Sequence, residues 1–317
     1  MDSLRIIAGS ANPRLADAVG AQLGIGSRSA GLERYPDGEV LPLVDDVAGE
    51  DVYIVQPTSP PVAEHLVELL LLIDACRRAR ADRVTAVVPY FGYARQDRRF
   101  GAGASVGAKV VGEAIAHAGA DRLIVVDPHT PNLEAICPVP VELVSAVPLL
   151  AHTLAPALSE RTVVVAPDPG AVERCEQFAS VMRCSIAIVR KHRESGTRVS
   201  ALELLGSVDE RPVAIVDDMI ATGATLEAAT RLLRYHAHSL VAAATHGPLT
   251  SGATSRLQAV GIHRIVVTDT VAQREPSPVL EICSIAPLLA EVIARLHGAM
   301  RIPHAAATHL DGFAHGS

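Results

Sequence analysis

The stretch Val213–Leu226, VAIVDDMIATGATL, constrains this chain more than any other. Four apolar residues lead into two adjacent carboxylates, Asp217 and Asp218, followed by a loop of small residues and a helical pattern. This is the order of a strand, a phosphate-binding loop and a helix start. It predicts an open α/β sheet with its ligand at the carboxyl ends of the strands. The backbone N–H groups of Thr222, Gly223, Ala224 and Thr225 are expected to point at a phosphate on the helix N-terminus. The two Thr hydroxyls add donors. Ionised Asp217 and Asp218 only accept hydrogen bonds, which suits hydroxyl donors such as the vicinal diol of a ribose. No Lys follows the glycine, so the loop is not a Walker A loop. An acidic helix cap alone would need one carboxylate and gain little from the T-G-A-T run.

A chain of 317 residues predicts two domains. Hydrophobic residues make up 49% and aromatic residues 3%, with no Trp, so the core must be built from Val, Leu, Ile and Ala. Aliphatic strands of that kind suit parallel sheets covered on both faces. The net charge of −7 argues against a nucleic-acid or anionic-membrane surface, and any phosphate site must be a local basic patch. The five cysteines, Cys76, Cys137, Cys175, Cys184 and Cys283, include no C-x-x-C pair and read as reduced thiols of a cytoplasmic protein. The N-terminus lacks the pattern of a signal peptide. The apolar run around Leu66–Ile73 carries Glu68 and is too short to span a bilayer.

Apolar runs alternate with amphipathic stretches along the chain. Strands are expected at Leu4–Ala8, Asp51–Gln56, Arg83–Pro89, Arg122–Val126, Val163–Ala166, Ser185–Val189, Val213–Val216, Ser239–Thr245 and Arg264–Thr268. Helices are expected near Pro13–Leu23, Val62–Arg80, Gly107–Ala118, Ala171–Met182, Leu226–His236, Gly252–Val260 and Ala286–His297. The alternation means βαβ units and mainly parallel sheets with helices on both faces. Because the pattern recurs in both halves, the reading is α/β with two similar domains in tandem. The first is placed at residues 1–146, rejoined by a C-terminal helix at about 286–302, and the second at 147–285. The tail Pro303–Ser317, rich in Ala, His and Gly, is expected to be mobile.

Two further segments carry chemistry. Arg34-Tyr35-Pro36-Asp37-Gly38-Glu39 reads as a turn with carboxylates on either side of Gly38. In Tyr90-Phe91-Gly92-Tyr93-Ala94-Arg95-Gln96-Asp97-Arg98-Arg99, three of the nine Phe and Tyr residues stand just before three arginines. Aromatic faces and guanidiniums together suit the base and phosphates of a nucleotide.

The stretch Val213–Leu226 resembles the phosphoribosyl diphosphate (PRPP) motif shared by type I phosphoribosyltransferases and PRPP synthetases, also called ribose-phosphate pyrophosphokinases. The Arg34–Glu39 and Tyr90–Arg99 segments, VQPTSPPVAEHLVELLLLIDACRRARADRVTAVVPYFGYARQDRR and THGPLTSGA are similar to PRPP synthetases. The resemblance is collinear from about residue 4 to residue 298. Phosphoribosyltransferases lack the N-terminal half, so the chain is identified as a member of the PRPP synthetase family with a phosphoribosyltransferase-like fold.

The resemblance implies roles residue by residue. Asp37, Gly38 and Glu39 match a segment that reaches the adenine of ATP from a neighbouring subunit, and Arg95, Gln96 and Asp97 match ATP contacts. His129, in DPHTP, and Asp168, in APDPG, match magnesium-site residues, so Mg²⁺ is the implied cofactor. Lys191 and Arg193 match the basic pair opening a catalytic loop, continued by Glu194-Ser195-Gly196-Thr197, with Arg193 also near the sugar phosphate. Asp217 and Asp218 match the carboxylates on the ribose hydroxyls, and Ala221, Thr222, Gly223, Ala224 and Thr225 match the 5-phosphate loop. ATP and ribose 5-phosphate are the implied substrates, and a homo-oligomer built from dimers, commonly a hexamer, is the implied assembly. Ala221 stands where many members carry an acidic residue. The competing readings are a phosphoribosyltransferase that uses PRPP and a non-catalytic regulatory partner of a PRPP synthetase. Asp37–Glu39 and Arg95–Asp97 argue against the former, and retention of Lys191, Arg193, His129 and Asp168 against the latter.

Overall fold

A computed structural model describes residues 3–192 and 201–299 of the chain. Arg193, the segment Glu194–Thr197 and the tail Pro303–Ser317 lie outside the described residues. The first half runs β1 (Leu4–Ala8), α1 (Pro13–Gln22), β2 (Ser27–Ser29), β3 (Gly31–Arg34), β4 (Val40–Leu43), β5 (Asp51–Val55), α2 (Val62–Arg78), β6 (Arg83–Val88), α3 (Gly107–Ala118), β7 (Arg122–Val126), α4 (Leu133–Ile136) and β8 (Val141–Val144). The second runs α5 (Val147–Leu154), β9 (Val163–Ala166), α6 (Val172–Met182), β10 (Ser185–His192), β11 (Ala201–Leu205), β12 (Pro212–Met219), α7 (Ala224–Leu233), β13 (Ser239–His246), α8 (Ala253–Ala259), β14 (Ile262–Thr268), β15 (Leu280–Cys283) and α9 (Ala286–Ala299).

The architecture is the expected α/β one. A six-stranded sheet, order β2-β1-β5-β6-β7-β8, is wholly parallel. A seven-stranded sheet, order β11-β10-β9-β12-β13-β14-β15, is parallel except for the β10–β11 pair. Each sheet has an apolar core on both faces, because its central strands are nearly unbroken runs of Val, Ile, Leu and Ala. On the first sheet one face packs against α2 and α3 and the other against α1 and α9. On the second, α7 and α8 cover one face and α5 and α6 the other.

Helix α9 follows the second sheet in sequence but packs on the first. Ala286, Leu289, Ala290, Ile293 and Leu296 recur at helical spacing and are all buried, several of them against Ile6, Leu15 and Val19. Burying Leu289 and Ile293 stabilises that return by about 1.5–3 kcal/mol each. All five cysteines are free thiols. Among the described residues no helix is long and apolar enough to cross a membrane.

The sequence reading missed β2, β3, β4, β8, β11, β15, α4 and α5. Most of these strands are short and half-exposed, so no alternation marks them, and a neighbouring strand holds them in place. Two boundary differences bear on function. Strand β12 does not end at Val216 but continues to Met219, in register with His246 of β13, so both carboxylates stand inside the strand. Helix α7 begins at Ala224 rather than Leu226, which brings its first turn into the T-G-A-T run.

Candidate active site

The carboxyl ends of β7, β9, β12 and β13 meet where the two halves of the chain touch. One cavity there is lined by Arg95 and His129 of the first half and by Asp168, Arg174, Asp217, Asp218 and Ala221–Thr225 of the second. A neighbouring cavity shares His129, Gly170 and Arg174 with it.

The loop after β12 owes its shape to Gly223. Its φ of +79° lies in the left-handed region, and an added Cβ would come within 3.2 Å of Leu257. Helix α7 starts at the next residue, leaving its first-turn N–H groups without intrahelical acceptors. The Ala224 N–H donates to Thr222 Oγ1 (3.3 Å). Arg256 donates to the Thr222 carbonyl (2.9 Å), and the Thr250 N–H donates to the Ala221 carbonyl (3.1 Å). A loop braced in this way offers backbone donors and the positive end of a helix to an anion.

The two carboxylates differ, where the sequence reading took both as ionised. Adjacent residues of a strand face opposite sides. Asp218 is 5% exposed, and its Oδ2 accepts a hydrogen bond of 2.6 Å from His129 Nδ1. Burial opposes its charge, but the His129 hydrogen bond and the Arg174 guanidinium outweigh burial and hold the carboxyl well below the usual carboxylate range. The same hydrogen bond raises His129 above an ordinary imidazole. Among the described residues no cation forms an ion pair with Asp217; burial, then the charge of Asp218, pushes it up to about 7. The Asp218 N–H donates to its Oδ1 (2.8 Å). Neutral pH therefore finds Asp218 ionised and Asp217 near half-protonation.

Other sequence-derived residues fall in different places. Arg95 lines the cavity, whereas Gln96 packs its amide against Gly107 at the start of α3. Neither Gln96 nor Asp97 is among the lining residues. Asp37, Gly38 and Glu39 form the exposed tip of the β3–β4 hairpin, closed by hydrogen bonds between Tyr35 and Glu39 and between Gly38 and Tyr35, and do not line the cavity. The backbone of Lys191 lies in β10, in register with Leu202 of β11. Asp168 caps the turn before α6, its Oδ1 accepting from the Gly170 N–H (2.8 Å) and its Oδ2 remaining for a ligand.

Among the described residues no group of three or more His, Cys, Asp or Glu side chains converges on a metal position. Mg²⁺ bound mainly through water and substrate phosphates needs only one or two carboxylates from the protein. Asp168 is suited to that part; His129, with Nδ1 committed to Asp218, has only Nε2 to offer.

Sequence reasoning missed Arg174, Asp127 and His246. Arg174 had a signal: it is a cation in the first turn of α6, where the helix dipole disfavours positive charge, and such a local misfit points to a site.

Residues 4–119 match the family model described as the N-terminal domain of ribose phosphate pyrophosphokinase, and residues 196–303 match the phosphoribosyl synthetase-associated domain. The ribose-phosphate pyrophosphokinase of Caldanaerobacter subterraneus is 37% identical over 306 residues, covering 95% of this chain and 97% of the relative. That of Gloeobacter violaceus is 39% identical over 301 residues, covering 93% and 91%. The crystal structure of phosphoribosylpyrophosphate synthetase from Mycobacterium smegmatis superposes with a TM-score of 0.88 at 34% identity, covering 94% of this chain and all of the other. Identity at this level over nearly the full length of both partners makes the chain a member of the ribose-phosphate pyrophosphokinase (PRPP synthetase) family.

Proposed function

We propose that the chain is a ribose-phosphate diphosphokinase that transfers the β,γ-diphosphoryl group of ATP to the C1 hydroxyl of ribose 5-phosphate, giving PRPP and AMP. One observation carries this reading beyond the family match: a single cavity is lined by Arg95 and His129 from the first half and by Asp217–Thr225 from the second. A phosphoribosyltransferase site would need only the latter. Residues 1–146 with α9 are taken as the ATP-side domain and residues 147–285 as the sugar-side domain.

In this mechanism the loop Ala221–Thr225 binds the 5-phosphate and the carboxylates take the ribose hydroxyls. Arg95, Gln96 and Asp97 hold ATP, with Asp37, Gly38 and Glu39 reaching the adenine of a neighbouring subunit's nucleotide in a homo-oligomer. The C1 oxygen attacks the β-phosphorus, and the bond to the α-phosphate oxygen breaks. Transfer of this kind depends on positioning and charge stabilisation more than on covalent chemistry. Lys191 and Arg193 close over the diphosphoryl group. Asp168, with His129, would hold Mg²⁺, which neutralises charge on the phosphates when bound.

The test is an assay of AMP and PRPP formation from ATP and ribose 5-phosphate. Absence of AMP release, with PRPP instead consumed against a nucleobase, would replace this reading with the transferase one.

The protonation of Asp217 gives a pH prediction. The ionised carboxylate accepts hydroxyl hydrogen bonds at both oxygens with charge assistance, whereas protonation turns one oxygen into a donor; its ionised fraction rises as pH passes about 7. The KM for ribose 5-phosphate is expected to fall by about tenfold between roughly pH 6 and 8. In Asp217→Asn that slope should flatten to whatever the substrate phosphate itself contributes. Steady-state kinetics of the two proteins across this range checks it, and identical slopes would remove Asp217 from the sugar site.

A further inference from the structure

His246, at the end of β13, is buried and lies outside the cavity lining, yet it touches three of the four segments that build the cavity. Its backbone carbonyl accepts from the N–H of Ile220, the residue just before the phosphate loop (2.9 Å). Its Nε2 lies 3.2 Å from the carbonyl oxygen of Asp127, two residues before His129. Its ring meets the edge of Tyr90, where the segment leading to Arg95 begins, with centroids 5.2 Å apart and planes at 84°.

The protons can be assigned. A carbonyl only accepts, so Nε2 carries the hydrogen and donates to Asp127. Nδ1 must then accept, and the Thr270 hydroxyl donates to it (2.9 Å). Thr268 Oγ1 meanwhile donates to the Thr245 carbonyl (2.6 Å), and Thr270 Oγ1 lies nearer the ring nitrogen (2.9 Å) than that carbonyl (3.2 Å). Burial disfavours a charged imidazole here, in agreement with the single tautomer.

Asp127 is held from every side. Its φ is +35°, a strained conformation for a residue with a side chain. Its N–H donates to the Val144 carbonyl (2.9 Å), and its Oδ2 accepts from the Ala146 N–H (2.9 Å) and from Thr245 Oγ1 (2.6 Å). Thr245 and His246 are consecutive residues of the second sheet, and Asp127 belongs to the first. Two hydrogen bonds across the seam therefore fix the start of the loop that delivers His129 to Asp218.

We propose that His246 is a positioning residue for diphosphoryl transfer: through its hydrogen bond to Asp127 and its contact with Tyr90 it sets His129 and Arg95 of one half against the phosphate loop of the other. The role rests on the activity proposed above. The sugar phosphate grips the second half alone, so loss of His246 affects the alignment of the two substrates rather than the binding of either.

The test is a kinetic cycle. In His246→Leu, kcat is expected to fall roughly 10- to 100-fold, as for a sub-ångström to one-ångström misplacement, with both KM values changed by less than about threefold. His246→Gln, whose amide nitrogen reaches the Nε2 position, should recover most of kcat. Because His246 acts in part through His129, the loss caused by His246→Leu should be clearly smaller in a His129→Ala background than in the wild type. Additive losses, a change carried by KM, or a glutamine variant no better than leucine would overturn the role. If His246→Leu does not fold, Thr245→Val, which removes only the grip on the Asp127 carboxylate, must still lower kcat; wild-type turnover in that variant would overturn it. Wild-type protein that forms no PRPP would overturn the activity itself, whereas active wild type with an unaffected His246→Leu overturns the positioning role alone.

Discussion

Replacing Asp218 by asparagine is expected to lower kcat/KM for ribose 5-phosphate by roughly 10- to 100-fold, from the ~1.5–3 kcal/mol carried by a hydrogen bond to a charged group. The carboxylate is 5% exposed and takes its hydrogen bond of 2.6 Å from His129. Asparagine keeps the volume but supplies neither the negative charge nor the second acceptor oxygen. His129 then loses the contact that raises its affinity for a proton and orients its ring. Asp217→Asn removes a group that is already half-neutral at pH 7 and should cost about tenfold less. Calorimetry with ribose 5-phosphate, beside steady-state rates, checks the ranking. Equal losses in the two variants would show that the asymmetry between the carboxylates has no part in binding.

Lys191→Ala is expected to lower turnover by roughly 10²–10³-fold, the cost of losing one preorganised charge donor from a developing anion. The backbone supports the assignment. Strand β10 runs parallel to β9 with Ile188 opposite Ala166, so Lys191, three residues further along β10, stands past the carboxyl end of β9, the edge at which Asp168 lies. A cation acting only as the transferred group passes between substrates should leave both KM values nearly unchanged. Single-turnover measurements separate the chemical step from product release. Turnover within about threefold of wild type would remove Lys191 from the mechanism.

Much of this molecule was legible along the chain. The Val- and Ile-rich runs could only be strands buried on both faces, and the helical repeats between them forced parallel connections. The strand–loop–helix at Val213–Leu226 was readable because its apolar run, small-residue loop and helical pattern are all local features. The edge strands were not. Ser27–Ser29 has no apolar pattern of its own and is strand only because β1 offers it a register. Nor does local sequence hold α9 on the first sheet; that follows from the apolar face it buries there.

The chemistry of the site divides in the same way. Composition and spacing determined that two carboxylates, a phosphate loop and a basic segment exist, since residue type and local backbone need no distant partner. Tertiary structure alone decided that Asp218 is held ionised while Asp217 is raised to about 7, because that difference comes from His129, 89 residues away in sequence, and from burial. It alone turned His246, one His among 13, into a link between the two sheets, by setting Asp127 of the other half within hydrogen-bond reach. Residue identity sets what a group can donate or accept; which charge it carries and what it positions depend on the dielectric and the neighbours that folding brings to it.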